Sequence, residues 1–539
     1  MGNEGKRRLA VAAAFLMAAT AGSRVLGLVR EQVMLSYLGL GAQMGAFTVA
    51  FKVPSLIRTL VADTALSAAF IPVFSGLLSE ERRKEAWQLV TTLTFLAVVL
   101  LGAISALGMV FAPQVISVAA PGYRDPATID LAIGLTRVMF PTVVLLGVTG
   151  IFMGVLNSYD HFTLPALAPI VWNVIIIASV VFFAGNSGDD RSFFILAWGT
   201  VIGTVAQLVI QMPAVWRRRE SLGLRLDFRD PAVRQVGRLL GPVVLTLGIV
   251  NFNALVGTIV ASYISEPAPA VIDKAFRLFQ LPQGMFAVAI GTVLFPSLSR
   301  FATAGRMGDF RVALSSGIRQ IFFVTLPFSA FFVVLGAPTV RLVFEHGKFQ
   351  AEDTAAVAWA LAFFSLGMAF VSANTLLNRA FYGIRKAWLP LVTGIANLVL
   401  YTGLCLLLYK PLGVGGVTLA TAAVSTFNFF GLMYLLRRQI GSVDGRRVFS
   451  SAARSVVSLA PLCLAAYGTW WFVDGLLGRS VPAQLVSVGA AYLLGLLAYA
   501  AAARVMRMDE LGEVLSVVRR RRDASVTGAV IRQESEDLP

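Results

Sequence analysis

Residues 9–38 read LAVAAAFLMAATAGSRVLGLVREQVMLSYL, thirty residues of which three, Arg24, Arg30 and Glu31, are charged. A membrane-spanning helix needs about 20 predominantly apolar residues. This run therefore predicts a long spanning helix, with an arginine near mid-membrane that requires an explanation. The rest of the chain has the same character. It has 539 residues, 57% of them hydrophobic and only 14% charged, and its mean hydropathy is +0.77. Soluble proteins carry about 25% charged residues, so a water-soluble enzyme is excluded. Fourteen apolar runs follow one another: 9–38, 44–76, 86–113, 128–156, 164–184, 193–216, 236–263, 270–299, 311–338, 354–383, 387–409, 413–436, 450–475 and 482–506. The reading is an all-α polytopic membrane protein with fourteen transmembrane helices.

The net charge is +16. It is distributed by side: the N-terminus (Lys6, Arg7, Arg8), 80–85, 217–234, 300–311, 379–386, 437–454 and the tail hold about thirty Lys and Arg. The opposite loops hold about seven: Arg124, Arg191, Lys274, Arg341, Lys348, Lys410 and Arg479. Basic residues accumulate on cytoplasmic loops, so both termini are expected in the cytoplasm, and the charge does not signal nucleic acid. Loop 157–163 departs from the pattern, with neither Lys nor Arg. Lys6-Arg7-Arg8 before an apolar run has the form of a signal peptide, but that run continues to Leu38. Cys405, Cys463, His161 and His346 supply no disulfide framework and no metal site. No metal and no cofactor are expected.

An internal repeat organises the spans. Ala50-Phe51-Lys52 returns as Ala275-Phe276-Arg277, and Leu164-Pro165 as Leu389-Pro390, both at an offset of 225. Pro72 with Ser75 returns as Pro296 with Ser299, and Asn173 as Asn397, both at 224. The offset covers six helices, an even number, so the repeats run parallel. This predicts two six-helix lobes around a central cavity, plus two extra C-terminal helices. The domains are 1–220 (N-lobe), 221–440 (C-lobe, entered through an amphipathic connector with Arg225, Leu226 and Phe228), 441–507 (the last two helices) and 508–539 (a cytoplasmic tail with an amphipathic segment that includes Leu511 and Val514). Two lobes around a cavity is a transporter layout.

Charged residues inside spans carry the functional signal. A charge at mid-membrane costs at least about 2.5–3.5 kcal/mol, whereas one near a helix end snorkels to the interface. At about 1.5 Å per residue, Arg24 and Arg58 lie roughly 21–22 Å from the nearer predicted entry point of their chains. Lys52 and Arg277 are shallower, at roughly 10–12 Å, and Arg319 lies near a cytoplasmic end. Glu31 shares a helix face with Arg24, and Asp63 with Lys52, so some pairing is expected. A cationic surplus remains to line a hydrated cavity and favour an anion. Guanidinium forks match the oxygens of a pyrophosphate. No paired carboxylates suit a glycosyltransferase, no glycine-rich nucleotide cradle is present, and an enzyme is not expected. Asn173, Asn251, Asn253, Asn397 and Asn428 read as interhelical hydrogen-bonding residues.

Several of these stretches resemble a known family. Ser23-Arg24-Val25-Leu26-Gly27 followed by Arg30-Glu31, the run Ala46-Phe47-Thr48-Val49-Ala50-Phe51-Lys52-Val53-Pro54-Ser55-Leu56-Ile57-Arg58, and Ala69-Phe70-Ile71-Pro72 are similar to the first two helices of the MurJ (MviN) lipid II flippases. Pro121-Gly122-Tyr123, Leu156-Asn157 with Phe162, Pro165 and Pro169, Gly291-Thr292-Val293-Leu294-Phe295-Pro296-Ser297-Leu298-Ser299, and Phe344 with Gly347-Lys348-Phe349 continue the resemblance. It runs in order from about residue 9 to 440. It implies a flippase of the multidrug/oligosaccharidyl-lipid/polysaccharide exporter superfamily, moving lipid-linked peptidoglycan precursor from the inner to the outer leaflet of the bacterial cytoplasmic membrane. The substrate-binding residues it implies are Arg24, Arg58 and Arg277, with Arg30 and Lys52 as supports. The last two helices would form a groove for the polyprenyl tail. The implied partners are lipid II, membrane lipids and cell-wall synthesis proteins. The chain departs from the family at Gly45, Phe276 and Gln280, where acidic residues are frequent. It also has no Asp in the seventh and eleventh helices, which speaks against sodium coupling. A flippase for another polyprenyl-linked oligosaccharide and a multidrug antiporter of the same superfamily are the alternatives; the antiporter would need a buried acid for a cationic drug.

Overall fold

With no water in the bilayer core to bond the backbone, the apolar runs have helix as their open-chain solution. The computed structural model describes residues 3–59, 65–185, 188–218, 230–386 and 388–513, without the side chains of 3–18, 20–21, 58, 65–68, 242–243, 245–247 and 249–250. Asp63, the connector residues Arg225, Leu226 and Phe228, the side chain of Arg58, and the tail from Val514 onward lie outside the described residues.

The regular structure of the described residues is helical. The first ten helices are α1 (Asn3–Leu38), α2 (Ala42–Arg58), α3 (Ala65–Ser79), α4 (Arg83–Val110), α5 (Ala112–Ala119), α6 (Pro126–Met139), α7 (Thr142–Ser158), α8 (Thr163–Ser179, prolonged by the π-helical turn Val180–Ala184), α9 (Asp190–Trp216) and α10 (Pro231–Ser262). There follow α11 (Ala268–Thr303), α12 (Met307–Val334), α13 (Gly336–Phe344), α14 (Ala351–Leu366), α15 (Met368–Gly383), α16 (Trp388–Leu412), α17 (Val414–Ile440), α18 (Gly445–Val457), α19 (Leu459–Leu477) and α20 (Val481–Val505). Helix occupies part of every one of the fourteen apolar runs. Among the described residues ten helices or joined helix pairs are long and apolar enough to cross a membrane, eleven if α14 and α15, bent by 48°, form one span. The runs 9–38, 44–76 and 236–263 hold helix but include undescribed side chains or backbone.

Local chemistry sets several boundaries. Asp125 caps α6 by accepting from the backbone N–H groups of Ala127 and Thr128, with Pro126 at the first helical position. The Thr128 hydroxyl and backbone bonds hold the Asp125 carboxyl below its ordinary pKa. Asp189 and Asp230 cap α9 and α10 in the same way. The α14–α15 bend falls at Gly367, where a Cβ would approach the Ala422 Cα to 2.5 Å. The glycine allows α15 to pack against the backbone of α17.

The chain forms two compact units. The first comprises residues 1–274, 343–357 and 398–417; the second comprises 275–342, 358–397 and 418–539. In the first, Phe70, Phe74, Trp87, Ile151, Leu156, Val215 and Val236 build a core from α3, α4, α7, α9 and α10. Phe70 stacks on Phe74 at 5.0 Å, and Trp87 meets Phe74 edge-on at 6.4 Å. In the second, Phe310, Ile318, Phe322, Leu376, Phe381 and Leu436 join α12, α15 and α17. A further cluster packs Phe331, Leu462, Ala466, Ala491 and Tyr499, tying α19 and α20 to α12. Tyr499 donates to the Phe323 carbonyl at 3.0 Å. Leu464, Trp471, Phe472, Leu493 and Leu497 on α19 and α20 are exposed, which suits a lipid solvent.

The start of the segment after α20 is drawn into the protein. Leu511 packs against the α12–α19–α20 cluster, and Glu510 is buried. The Glu510 carboxylate accepts from Arg319 Nη1 at 2.7 Å and from Ser451 Oγ at 2.8 Å. Glu513 accepts from Ser316 at 3.0 Å and Gln320 at 2.5 Å. Arg319 is thus held by a carboxylate that the hydropathy pattern does not reveal. Glu510→Ala leaves a largely buried guanidinium without its counter-charge, a local loss of about 3 kcal/mol. Limited trypsin digestion should then cut at Arg507 faster than in the wild type.

Candidate functional site

The charges expected in the first helix are divided by the fold into one that is open and two that are closed in. Arg24 is exposed on α1. Arg30, six residues later, is 7% exposed and Glu31 only 3%. Arg30 Nη1 donates to Asn173 Oδ1 on α8 at 3.2 Å, and Nη2 donates to the Glu31 carboxylate. The guanidinium carbon lies 4.7 Å from the centre of the Trp172 ring. Asn173 Nδ2 in turn donates to the Pro169 carbonyl at 2.9 Å and reaches the Ser23 carbonyl at 3.5 Å. This is the interhelical role expected of Asn173.

The second oxygen of Glu31 accepts from Lys274 Nζ on α11, and Asp273 lies 3.7 Å from the same nitrogen. Lys274 is 3% exposed. The sequence reading of Lys274 as a loop charge is therefore corrected: it is a buried helical residue. The expected pairing of Glu31 with Arg24 is replaced by pairing with Arg30 and Lys274. Arg30, Glu31, Lys274 and Asp273 bring alternating signs into contact, and such pairing offsets part of the desolvation cost of buried charges. The network joins α1, α8 and the first turns of α11 within the first unit.

The other predicted residues are distributed as follows. Lys52 is half-buried on α2, and Arg58 ends that helix, about 9 Å further along the axis. Arg277 is partly buried on α11 in the second unit, three residues beyond Lys274. Four of the five predicted residues thus belong to two consecutive helices of the first unit. Among the described residues no group of three or more His, Cys, Asp or Glu could hold a metal ion.

The departure at Gly45 has a steric cause. A Cβ there would lie 1.9 Å from the Glu266 carbonyl oxygen and 3.1 Å from the Tyr123 hydroxyl. Tyr123 donates to that carbonyl at 3.1 Å, and the Glu266 carboxylate accepts from Asp125 N–H at 3.0 Å and from the Thr128 hydroxyl at 3.1 Å. The space a side chain at 45 would need is filled by the Glu266 backbone. Gly45→Asp should reach or exceed the upper end of the about 1–3 kcal/mol that overpacking costs. The expected result is a fall in the amount of folded, detergent-extractable protein, measured by fluorescence-detected size exclusion.

The comparisons with known proteins agree with this architecture. The family model described as "Lipid II flippase MurJ" matches residues 34–487. The chain is 30% identical over 423 residues to a lipid II flippase MurJ of Burkholderia cenocepacia, covering 77% of this chain and 81% of that protein. It is 30% identical over 533 residues to a probable lipid II flippase MurJ of Rhizobium meliloti, covering 96% and 97%. A solved structure titled "Lipid II flippase MurJ, inward closed conformation" superposes with a TM-score of 0.76 at 21% identity, over 92% of this chain and 99% of that one. An inward-facing multidrug resistance MATE transporter of the MOP superfamily gives 0.64 at 17% identity, over 78% and 96%. At these identities the two structures speak for the fold alone. The family match and the relatives decide the assignment: the chain belongs to the lipid II flippase MurJ family.

Proposed function

We propose that this chain is a lipid II flippase, translocating the lipid-linked peptidoglycan precursor from the inner to the outer leaflet of the bacterial cytoplasmic membrane. The observation that carries this reading is the family match over residues 34–487. The surplus of basic residues in the first, second and eighth predicted spans supports it. In the proposed mechanism the lobes 1–220 and 221–440 rock about a central cavity. Arg24, Arg58 and Arg277 bind the pyrophosphate and acidic head group, and Lys52 adds positive potential. Arg30, engaged by Glu31 and Asn173, acts by fixing α1 against α8. The polyprenyl tail stays in lipid along 441–507. The about fourfold bias of loop Lys and Arg supports both termini in the cytoplasm. Cell-wall synthesis proteins are the proposed neighbours that supply and consume the substrate, and the protein transports rather than catalyses.

In a strain depleted of its own lipid II flippase, expression of this chain should restore growth and outer-leaflet labelling of lipid II. Correct membrane insertion without either effect would refute the proposal. Drug resistance gained without lipid II labelling would favour the multidrug antiporter.

A further inference from the structure

Helix α18 carries the sequence Gly-Arg-Arg-Val-Phe-Ser-Ser-Ala-Ala-Arg-Ser-Val-Val over residues 445–457. Its roll is fixed by its inner face. Val448, Ser451 and Ser455 are buried, Val448 packs into the core with Leu436 and Val443, and Ser451 Oγ donates to Glu510 at 2.8 Å. The outer face is therefore set, and it combines two chemistries. Phe449 is 76% exposed, and Val456 and Val457 are more than half exposed; Arg446, Arg447 and Arg454 are exposed among them.

The end of α20 extends this face. Ser458 Oγ lies 3.4 Å from Met506 Sδ, which brings the exposed residues Arg504, Val505 and Arg507 beside the Arg454 end of α18. Asp444, 3.1 Å from Arg447, and Asp509 are exposed acids nearby among the described residues. Glu510 is engaged inside by Arg319.

An ordinary solvated helix face would not expose Phe449 and three valines. A dry protein interface would not crowd five arginines. Apolar side chains entering the acyl boundary beside guanidinium groups at the phosphates fit a membrane interface. Position agrees: α18 leads directly into α19, and Gly445–Leu477 is a 33-residue helical stretch apolar enough to cross a membrane. At 1.5 Å per residue that is about 50 Å, against a hydrocarbon core of about 30 Å. One end of this rod must reach the headgroups.

We propose that the outer face of α18, with the end of α20, is a binding site for the phosphate headgroup of an anionic phospholipid. In the orientation proposed above, on which only its sidedness rests, the lipid comes from the inner leaflet. The full-length protein should be reconstituted in nanodiscs of equal parts phosphatidylglycerol and phosphatidylcholine, and the lipids retained after detergent release read by native mass spectrometry. The wild type should retain phosphatidylglycerol preferentially. The triple variant Arg446→Gln/Arg454→Gln/Arg504→Gln should lose that preference at least about tenfold, with an unchanged melting temperature because all three side chains are exposed. A control with the same loss of charge in the first unit, Arg217→Gln/Arg234→Gln/Arg238→Gln, should keep it. No preference in the wild type, or an equal loss in both triples, overturns the proposal. Lipid retention is read without transport, so its failure is separate from failure of the flippase reading.

Discussion

Arg24→Ala should abolish growth of a flippase-depleted strain that depends on this chain, and Arg58→Ala should do the same, with both variants present in the membrane at wild-type levels. The hydropathy pattern places Arg24 roughly 21 Å from the nearer end of its predicted span, beyond easy snorkelling reach. The acid that shares its helix face, Glu31, is engaged by Arg30 and Lys274 instead. An exposed arginine at that depth, with its nearest candidate counter-ion occupied elsewhere, is costly unless it meets water or an anion. A charged hydrogen bond to a phosphate oxygen contributes about 1.5–3 kcal/mol, so lipid II translocation in proteoliposomes should slow about ten- to hundredfold per arginine removed. Arg24→Lys keeps the charge but not the two-pronged geometry and should fall between. Normal growth of either alanine variant at full protein level would remove that arginine from the proposed site.

Much of the helical framework is legible in the sequence because lipid simplifies the code. Every apolar run holds helix, since the backbone has few other ways to satisfy its polar groups in a bilayer. What escapes the sequence depends on partners far along the chain. Lys274 is three residues from Arg277 and close to a run boundary, so it looks like a loop charge; its partner Glu31 is 243 residues away. Helical periodicity correctly places Glu31 on the face of Arg24. It carries no information about Trp172 and Asn173, which draw Arg30 into a buried site beside Glu31. The α14–α15 bend is hidden inside one apolar run, and the close approach of Ala422 at Gly367, where it falls, is a contact 55 residues along the chain. Gly45 can be recognised as a departure from relatives, but the carbonyl of Glu266 that enforces it is visible only in three dimensions.

Removing Glu31 should disrupt the buried network and lower the stability of the protein. Glu31→Ala removes one carboxylate from between two buried cations. Breaking a buried pair costs about 3–5 kcal/mol, and here Arg30 and Lys274 both lose the Glu31 carboxylate, while Asp273 stays 3.7 Å from Lys274. Poor accumulation and a lowered melting temperature in detergent are expected. Lys274→Met should be milder, since Glu31 retains Arg30. The double variant Glu31→Gln/Lys274→Met removes one charge of each sign, keeps a hydrogen-bonding side chain beside Arg30, and should recover part of the loss. The recovery expected for contacting residues is about 0.5–3 kcal/mol. The charge swap Glu31→Lys/Lys274→Glu separates this network from a simple two-residue pair. A simple pair would be restored by the swap, because its two charges merely trade places. In the network the swap sets a new ammonium against Arg30 and a new carboxylate beside Asp273, so the like charges meet and the swapped protein should melt no higher than Glu31→Ala. Recovery to the wild-type melting temperature would show that Arg30 and Asp273 are not part of the balance, and the four-residue account would fail.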